Sequence, residues 1–183
     1  MGVAFIGRST EPIGAFEVRV ARAADEPAVT TLLAACYPAL MRGAYGDEIL
    51  DAALPLITRA NPHLLASGTY YVAEAADGAL VGCGGVGLAR PGAPPGAVEV
   101  EPGLAHVRHF ATDPAWLRRG VARSIMSRSI AAARRAAATA VECYSSLNAV
   151  PFYTVEGFRP VERVDVRLDG TLRFPAVLMR RDI

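Results

Sequence analysis

Apolar and polar positions alternate along some segments of the chain, which predicts strands, and recur every three to four positions along others, which predicts helices. The strongest helical period begins near Gly120, where apolar residues share one face and arginines fall on the others. The segment before it, Leu104–Thr112, is an apolar strand pattern that carries two histidines and one arginine, and Asp113-Pro114 ends it. Residues 104–124 therefore predict a strand, an arginine-rich turn and a helix.

Further elements are predicted on both sides of this region. Asp77-Gly78 and Asp169-Gly170 have the residue types of tight hairpin turns, and each lies between two strand patterns. Glycines at positions 82, 84, 85 and 87 predict a bulge or a close backbone approach in the strand after the first turn. The order β, α, α, β, β, β, α, β, α, β, β predicts a mixed sheet with helices on its faces. Residues 1–15 show no clear period and are expected to be a tail or an edge segment, so residues 16–183 form one predicted domain.

Composition narrows the classes of function. The 183 residues include 19 basic residues, all of them arginine, and 18 acidic residues, with a net charge of +1. This balance gives no electrostatic basis for binding nucleic acid or a membrane surface. The absence of lysine excludes enzymes that form a lysine Schiff base and phosphate loops of the Walker type. Three scattered cysteines indicate a reducing, cytoplasmic location, and no metal is expected.

The turn Arg118-Arg119-Gly120 and the helix start after it form a candidate anion site. Backbone N–H groups and the positive end of the helix dipole point to one place there, with guanidinium groups beside them. Such an arrangement suits a phosphate or a pyrophosphate. The same residues are equally typical of a basic helix start that is simply solvated.

Two motifs in this order resemble the GNAT superfamily of N-acetyltransferases. The first, HFATDPAWLRRGVARSIM, is similar to the strand and pyrophosphate loop of the family, written Q/R-x-x-G-x-G/A, with Gly120 and Ala122 at the small-residue positions. The second, LNAVPFYTVEGF, is similar to the segment that follows the next strand of the family. Leu117 departs from the pattern, since Gln or Arg is usual there, although nearby arginines could supply the missing charge.

The resemblance implies a GNAT-like α/β fold, with a twisted and mostly antiparallel sheet of six to seven strands flanked by helices on both faces. It implies acetyl-CoA as co-substrate and transfer of the acetyl group to a primary amine by direct attack on the thioester. The acceptor would be a small molecule or a peptide, and relatives are often homodimers. The alternative is a non-catalytic acyl-CoA-binding or sensor module on the same fold.

The resemblance also implies which residues contact CoA. The backbone of β-strand residues 110–112 would pair with the pantetheine amides, and a bulge there would free one N–H group to polarise the thioester carbonyl. Asn148 is expected to cap the helix that follows it and to contact the CoA arm. The predicted CoA-binding residues are Phe110, Ala111, Thr112, Arg118, Arg119, Gly120, Val121, Ala122, Arg123, Asn148 and Tyr153.

Two side chains are candidates for proton transfer. Tyr153 matches the tyrosine that protonates the departing CoA thiolate in the family, and a phenol pKa of about 10 lies close enough to that of a thiol for this step. Otherwise Tyr153 is a packing aromatic. His106 is the candidate base that takes the amine proton directly or through water, or else a structural histidine. Weaker candidates for the base are His109, Glu101 and Glu142.

The acceptor pocket is the least defined part of the predicted site. By resemblance it would form between the first two helices, the central strands and the last hairpin. The candidate residues for this pocket are three tyrosines and one methionine: Tyr37, Met41, Tyr45 and Tyr70. Taken singly, each of them is more typical of ordinary packing in the core or at its rim.

Overall fold

A seven-stranded sheet forms the centre of the computed structural model, which describes residues 15–91 and 100–183. The strands lie in the order β1-β2-β3-β4-β5-β7-β6, and every neighbouring pair is antiparallel except β4 and β5, which are parallel. The predicted mixed, mostly antiparallel sheet is thus confirmed. The strands are β1 (Phe16–Val20), β2 (Tyr70–Ala75), β3 (Leu80–Gly87), β4 (Leu104–Thr112), β5 (Ala140–Ser146), β6 (Arg159–Leu168) and β7 (Leu172–Asp182).

Helices connect these strands along the described parts of the chain. They are α1 (Glu26–Met41), α2 (Asp47–Ile57), α3 (Pro62–Leu65), α4 (Val121–Arg135) and α5 (Val150–Val155). The single turn α3 is absent from the predicted order, because four residues are too few to show a helical period. Among the described residues, no helix is both long and apolar enough to cross a membrane. The predicted tail, residues 1–15, lies outside the described residues except for Ala15.

Both predicted hairpin turns are present. Asp169 and Gly170 have φ angles of 50° and 86°, so both central residues of the β6–β7 turn are left-handed. This is the geometry that matches the twist of the flanking strands, and it explains the Asp-Gly sequence. At the β2–β3 turn, Gly78 has a φ of 83° and its N–H group donates to the carbonyl of Ala75 at 2.9 Å.

The sheet buries apolar residues on both faces. On one face the stripe of α4 that includes Val121, Ile125 and Met126 packs against strand residues such as Val86. On the other face α1 and α2 cover a second cluster that includes Val72, Leu33, Leu50 and Cys83. Each fully buried large aliphatic side chain stabilises the fold by about 1.5–3 kcal/mol, so the two clusters hold the sheet rigidly between two helical layers.

The parallel strands β4 and β5 are paired only at their beginning. Their register runs from Leu104 opposite Ala140 to His106 opposite Glu142 and stops there. Beyond that point β4 stays paired with β3 as far as Thr112, and β5 stays paired with β7 as far as Ser146. The two strands therefore diverge, and the sheet opens in its middle.

Candidate active site

A cavity of about 820 Å³ lies where β4 and β5 diverge. One wall is formed by β4 residues 107–112 and the opposite wall by Cys143, Tyr144 and Ser146 of β5. Residues of α1, the start of α4 and α5 complete the lining. A cavity of this volume can hold a ligand of the size of a cofactor arm together with a small second molecule.

Strand β4 carries a bulge at His109-Phe110. These two residues together lie opposite the single residue Gly84 of β3, between the regular pairs Cys83–Ala111 and Gly85–Arg108. His109 has a φ of 43°, which is uncommon for a residue other than glycine. The glycines of β3 predicted a bulge or a close approach in their own strand, and the close approach is found at Gly84, where a Cβ atom would lie 2.5 Å from Cδ2 of the Phe110 ring.

The bulge reverses which side chains of β4 face each side of the sheet. Before it, Ala105 and Val107 pack into the cluster beneath α4. After it, Ala111 packs into the cluster beneath α1 and α2, whereas Phe110 packs against the α4 side. His106 and Arg108 alternate with Ala105 and Val107 before the bulge, so they lie on the opposite face of the strand.

The peptide group between His109 and Phe110 is held in one orientation. The carbonyl oxygen of His109 accepts a hydrogen bond from the Tyr70 hydroxyl at 3.1 Å and lies 3.7 Å from Sγ of Cys83. Because the C=O and N–H of a trans peptide point in opposite directions, the N–H of Phe110 points away from Tyr70 and Cys83, and Phe110 itself lines the cavity. This N–H group is therefore a preoriented donor on the cavity wall.

The segment after β4 shapes the end of the cavity. The Asp113 carboxylate accepts a hydrogen bond from the N–H of Ala115 at 2.7 Å, which closes a 3-10 turn at Pro114–Trp116. Arg118 and Gly120 then take left-handed φ angles of 62° and 84° before α4 begins. Such alternation turns successive N–H groups towards one concavity, and the first N–H groups of α4 have no acceptor within the helix. The geometry of this segment, called the anion cradle below, is suited to holding an anion.

Tyr153 of α5 lies on the cavity wall and is 6% exposed. Its ring packs edge-on against Phe152 and Phe158, with centroids 5.1 and 5.4 Å away. Burial, and to a lesser extent the neighbouring Cys143, raises the pKa of Tyr153 well above its ordinary value. The phenol therefore stays protonated throughout the neutral range, but the raised pKa also makes it a weaker acid than the ordinary phenol on which the predicted proton transfer rests.

Comparison with known families agrees with this geometry. A family model described as an acetyltransferase (GNAT) domain matches residues 58–175, which is more than half of the chain. The chain belongs to the GNAT acetyltransferase family. No curated protein sequence matches the chain.

Solved structures similar to this GNAT domain include three proteins described as N-acetyltransferases. A GCN5-related N-acetyltransferase from Rhodopseudomonas palustris has a TM-score of 0.69 at 16% identity, covering 97% of this chain and all of that one. PaiA N-acetyltransferase from Thermoplasma acidophilum, in complex with coenzyme A, has a TM-score of 0.67 at 14% identity and covers 93% of this chain and all of its own. A GCN5-related N-acetyltransferase from Kribbella flavida has a TM-score of 0.57 at 26% identity and covers 92% of this chain and 98% of its own. The first two, at such low identity, establish the fold.

The predicted CoA-binding residues of this GNAT domain line the cavity, except for Arg119. The Arg119 guanidinium lies 5.1 Å from the centre of the Trp116 ring, so it stacks on the indole instead. Arg123 lines the cavity, and its Nε lies 3.3 Å from a carboxylate oxygen of Glu156. Leu117, at the position where the family usually has Gln or Arg, is 43% exposed on the cavity wall.

Asn148 lies on the cavity wall and does not cap α5, contrary to the prediction. Ala149 is at the N-cap position, because residues 147–149 form a separate 3-10 turn before the helix. The Oδ1 atom of Asn148 is buried and has no hydrogen-bond partner among the described residues. The side chain is thus an unpaired acceptor facing the cavity rather than a helix cap.

His106 lies behind the cavity wall rather than on it. It is 3% exposed, and its Nδ1 atom has no hydrogen-bond partner among the described residues. Burial, followed by the charges of Arg108 and Arg90, lowers the pKa of His106 to about 4. The imidazole is therefore neutral at physiological pH. Because it lies behind the cavity wall, it does not face a substrate in the cavity directly.

The weaker base candidates are distributed differently. His109 lines the cavity, and burial, followed by the charge of Arg108, lowers its pKa. Glu142 lies 3.2 Å from the guanidinium of Arg180, and Glu101 is exposed and away from the cavity wall.

The predicted acceptor-pocket residues divide into two groups. Tyr37 and Met41 of α1 line the cavity. The Tyr45 hydroxyl instead donates to the carbonyl of Pro175 and accepts from the N–H of Leu147, both at 2.8 Å, while its ring stacks on Phe174. Tyr45 therefore ties the segment between α1 and α2 to β7 and to the residue after β5, and Tyr70 holds the bulge, so neither lines the cavity.

Sequence reasoning missed the wall formed by Cys143, Tyr144 and Ser146 and also missed Arg108. The β5 wall exists because two parallel strands diverge, which leaves no local signal in the sequence. Arg108 did carry a signal, since a guanidinium within an otherwise apolar strand requires a reason.

Proposed function

We propose that the chain is an acetyl-CoA-dependent N-acetyltransferase that moves the acetyl group to a primary amine by direct attack on the thioester. The observation that carries this proposal is the arrangement of one cavity with an anion cradle at residues 118–123, the oriented N–H of Phe110 and the protonated Tyr153 on its wall. A phosphate cradle alone would suit many ligands. Its combination with a carbonyl-polarising donor and an acid suits transfer from a thioester.

Distinct residues would hold the different parts of acetyl-CoA. The N–H groups of residues 118–123, with the guanidinium of Arg118 or Arg123, would bind the pyrophosphate. The unpaired edge of β4 would pair with the pantetheine amides, as an added strand does. Asn148 supports this assignment, because its buried Oδ1 atom has no partner among the described residues and can accept from an amide N–H.

The chemical step needs one donor, one acid and a route for one proton. As the amine nitrogen forms its bond to the acetyl carbon, the N–H of Phe110 would stabilise the negative charge that develops on the carbonyl oxygen. When the carbon–sulfur bond breaks, the Tyr153 hydroxyl would donate its proton to the sulfur. The nitrogen loses one proton to water, and the Tyr153 phenolate regains one from water, which returns the enzyme to its starting state. His106 could receive the amine proton only through such a water, because it lies behind the wall.

A coupled assay tests this function. Release of the CoA thiol is followed with a panel of amines, and the acetylated product is identified by mass spectrometry. Tyr153→Phe should lower kcat by about 10²- to 10⁴-fold, because it removes the general acid, while the dissociation constant of acetyl-CoA changes little.

Phe152→Leu is a suitable control, since it alters the packing around Tyr153 but keeps the phenol. An unaltered kcat in Tyr153→Phe would contradict the assigned role of the phenol. Binding of acetyl-CoA without acetylation of any amine would favour the binding or sensor module instead.

A further inference from the structure

Arg108 is a half-buried guanidinium on the cavity wall, two residues before Phe110 on β4. One of its terminal nitrogens donates to the carbonyl of Ala89. Its Nε atom is buried and has no hydrogen-bond partner among the described residues, and none of their carboxylates lies within ion-pair distance. A desolvated cation in this condition is costly unless an anion joins it.

Arg108 and the anion cradle lie on opposite sides of the Phe110 N–H group. The cradle at residues 118–123 follows the end of β4, whereas Arg108 precedes the bulge. The Arg108 side chain passes Gly87, where Nε would lie 3.7 Å from a Cβ atom, and reaches the carbonyl of Ala89, so it is directed towards the beginning of β4 and away from the cradle while still lining the cavity. This side of the cavity is where an acceptor amine would lie if the proposed function is right, and the CoA phosphates would be at the other end.

Much of the remaining cavity lining is apolar or aromatic. It includes Tyr37, Leu40 and Met41 of α1, Ile57 of α2 and Phe174 of β7. Within the described residues, the only carboxylate on the cavity wall is that of Glu156, which is paired with Arg123 at the start of α4. Among the described lining residues, no unpaired carboxylate is therefore left to bind a second cationic group of the acceptor.

We propose that the acceptor is an amino acid with an apolar side chain, whose carboxylate pairs with Arg108 and whose amine faces the thioester. This inference rests on the proposed function and names the acceptor class for it. A guanidinium can bind a carboxylate through two parallel hydrogen bonds, which would fix the position of the amine as well as add affinity. The apolar residues of α1, α2 and β7 would contact the side chain of the amino acid. The positive charge of Arg108 also favours the neutral, nucleophilic form of a nearby amine.

The test compares amino acids with matched amines that lack the carboxylate. Leucine is paired with isopentylamine and with leucinamide, and phenylalanine with phenethylamine, at saturating acetyl-CoA. Values of kcat/KM are normalised to the neutral fraction of each amine. We expect the amino acid to exceed its matched amine by a factor on the order of 100 in the wild-type protein. In Arg108→Met this factor should fall to near unity, and Arg108→Lys should retain part of it because it keeps the charge.

Thermal stability separates this role from a structural one. Removing a buried charge that has no ionic partner should leave Tm unchanged or raise it, so Arg108→Met should lose activity towards amino acids without losing stability. An equal loss towards leucine and isopentylamine, together with a lower Tm, would show a structural role and overturn the proposal. A higher kcat/KM of the wild-type protein for the amines than for the matched amino acids would also overturn the proposal. Should Arg108→Met fail to fold, the wild-type comparison and Arg108→Lys still decide.

Failure of this inference is distinguishable from failure of the proposed function. Acetylation of simple amines or peptides, with no preference for a carboxylate, would overturn the inference and leave the enzyme assignment intact. Absence of any acetyl-CoA binding would overturn both.

Discussion

Tyr70 acts on the cavity without lining it. Its hydroxyl, on β2, holds the His109 carbonyl of the β4 bulge at 3.1 Å, and Tyr70 itself is only 2% exposed. Without this hydrogen bond the peptide could rotate, and the N–H of Phe110 would no longer be fixed in direction. Preorganised donors stabilise a transition state because they need no reorientation during the reaction.

Tyr70→Phe should therefore lower kcat about tenfold while changing the KM for acetyl-CoA little, as expected for an interaction made in the transition state. Tyr71→Phe is the matched control. Tyr71 is the next residue on β2 and is 3% exposed, but no hydrogen bond joins its hydroxyl to the described residues. Steady-state kinetics of both variants provide the measurement, and equal kcat values for the two would show that Tyr70 does not position the bulge.

His106 links the protein's stability to pH. Its pKa is about 6.5 when unfolded and about 4 in the folded protein, mainly because of burial. Between these values the unfolded state binds the proton and the folded state does not, so the free energy of unfolding decreases as the pH falls through this window. Above this window the imidazole is neutral in both the folded and the unfolded state, so His106 no longer makes the free energy of unfolding depend on pH.

His106→Gln should remove this dependence. Between pH 7 and pH 5, His106 should lower the free energy of unfolding of the wild-type protein by about 2 kcal/mol. The total drop between these pH values should therefore be smaller by that amount in the variant. Urea denaturation at the two pH values gives the comparison. His109 is present in both proteins, so its own contribution cancels. Equal losses would mean that His106 is not held neutral by burial.

The bulge in β4 depends on glycine in the neighbouring strand. A Cβ atom at Gly84 would come within 2.5 Å of the Phe110 ring, whereas one at Gly87 would have its nearest neighbour, Nε of Arg108, at 3.7 Å. The two glycines lie on the same strand but only the first leaves room for the bulged aromatic residue. Packing at Gly84 thus fixes the conformation from which the Phe110 N–H points into the cavity.

Gly84→Ala should destabilise the protein by about 1–3 kcal/mol, because Phe110 and the bulge must shift to admit the methyl group. Gly87→Ala should change the free energy of unfolding by no more than about 1 kcal/mol and could stabilise the fold by restricting the unfolded chain. Chemical denaturation of the two variants measures both effects. Equal stability of the two proteins would contradict the tight contact at Gly84.

Elements with a local cause were predicted well. The two hairpin turns follow from Asp-Gly, whose residues tolerate left-handed φ angles, and α4 follows from its apolar stripe and the glycine before it. The bulge near Phe110 that the family resemblance implied is present in β4. The cap predicted at Asn148 was wrong, because a 3-10 turn of three residues before the helix moves its start.

Features that depend on distant parts of the chain were not predicted. The opening in the sheet arises because β4 and β5 follow different antiparallel partners after His106, and neither strand shows this in its own sequence. The hydrogen bond from Tyr70 to His109 joins residues 39 positions apart. The structure was therefore needed to show which residues line the cavity, whereas the motif at the start of α4 was enough to predict most of the CoA-binding residues.

The central claim concerns the molecule as a whole: the opening in its sheet binds acetyl-CoA, with the pyrophosphate at residues 118–123. Gly120 is the informative position, since it has a φ of 84° and open space around it. Gly120→Glu and Gly120→Gln add side chains of the same size and carry the same backbone strain, so they differ only in charge.

Calorimetric titration of the wild-type protein and these two variants with acetyl-CoA, with NAD as the control ligand, is the most direct test. We expect the wild-type protein to bind one acetyl-CoA with a dissociation constant on the order of micromolar and not to bind NAD. Gly120→Glu should bind at least about tenfold more weakly than Gly120→Gln, because its carboxylate repels the pyrophosphate. No acetyl-CoA binding by the wild-type protein, or equal affinities in the two variants, would contradict the site described above.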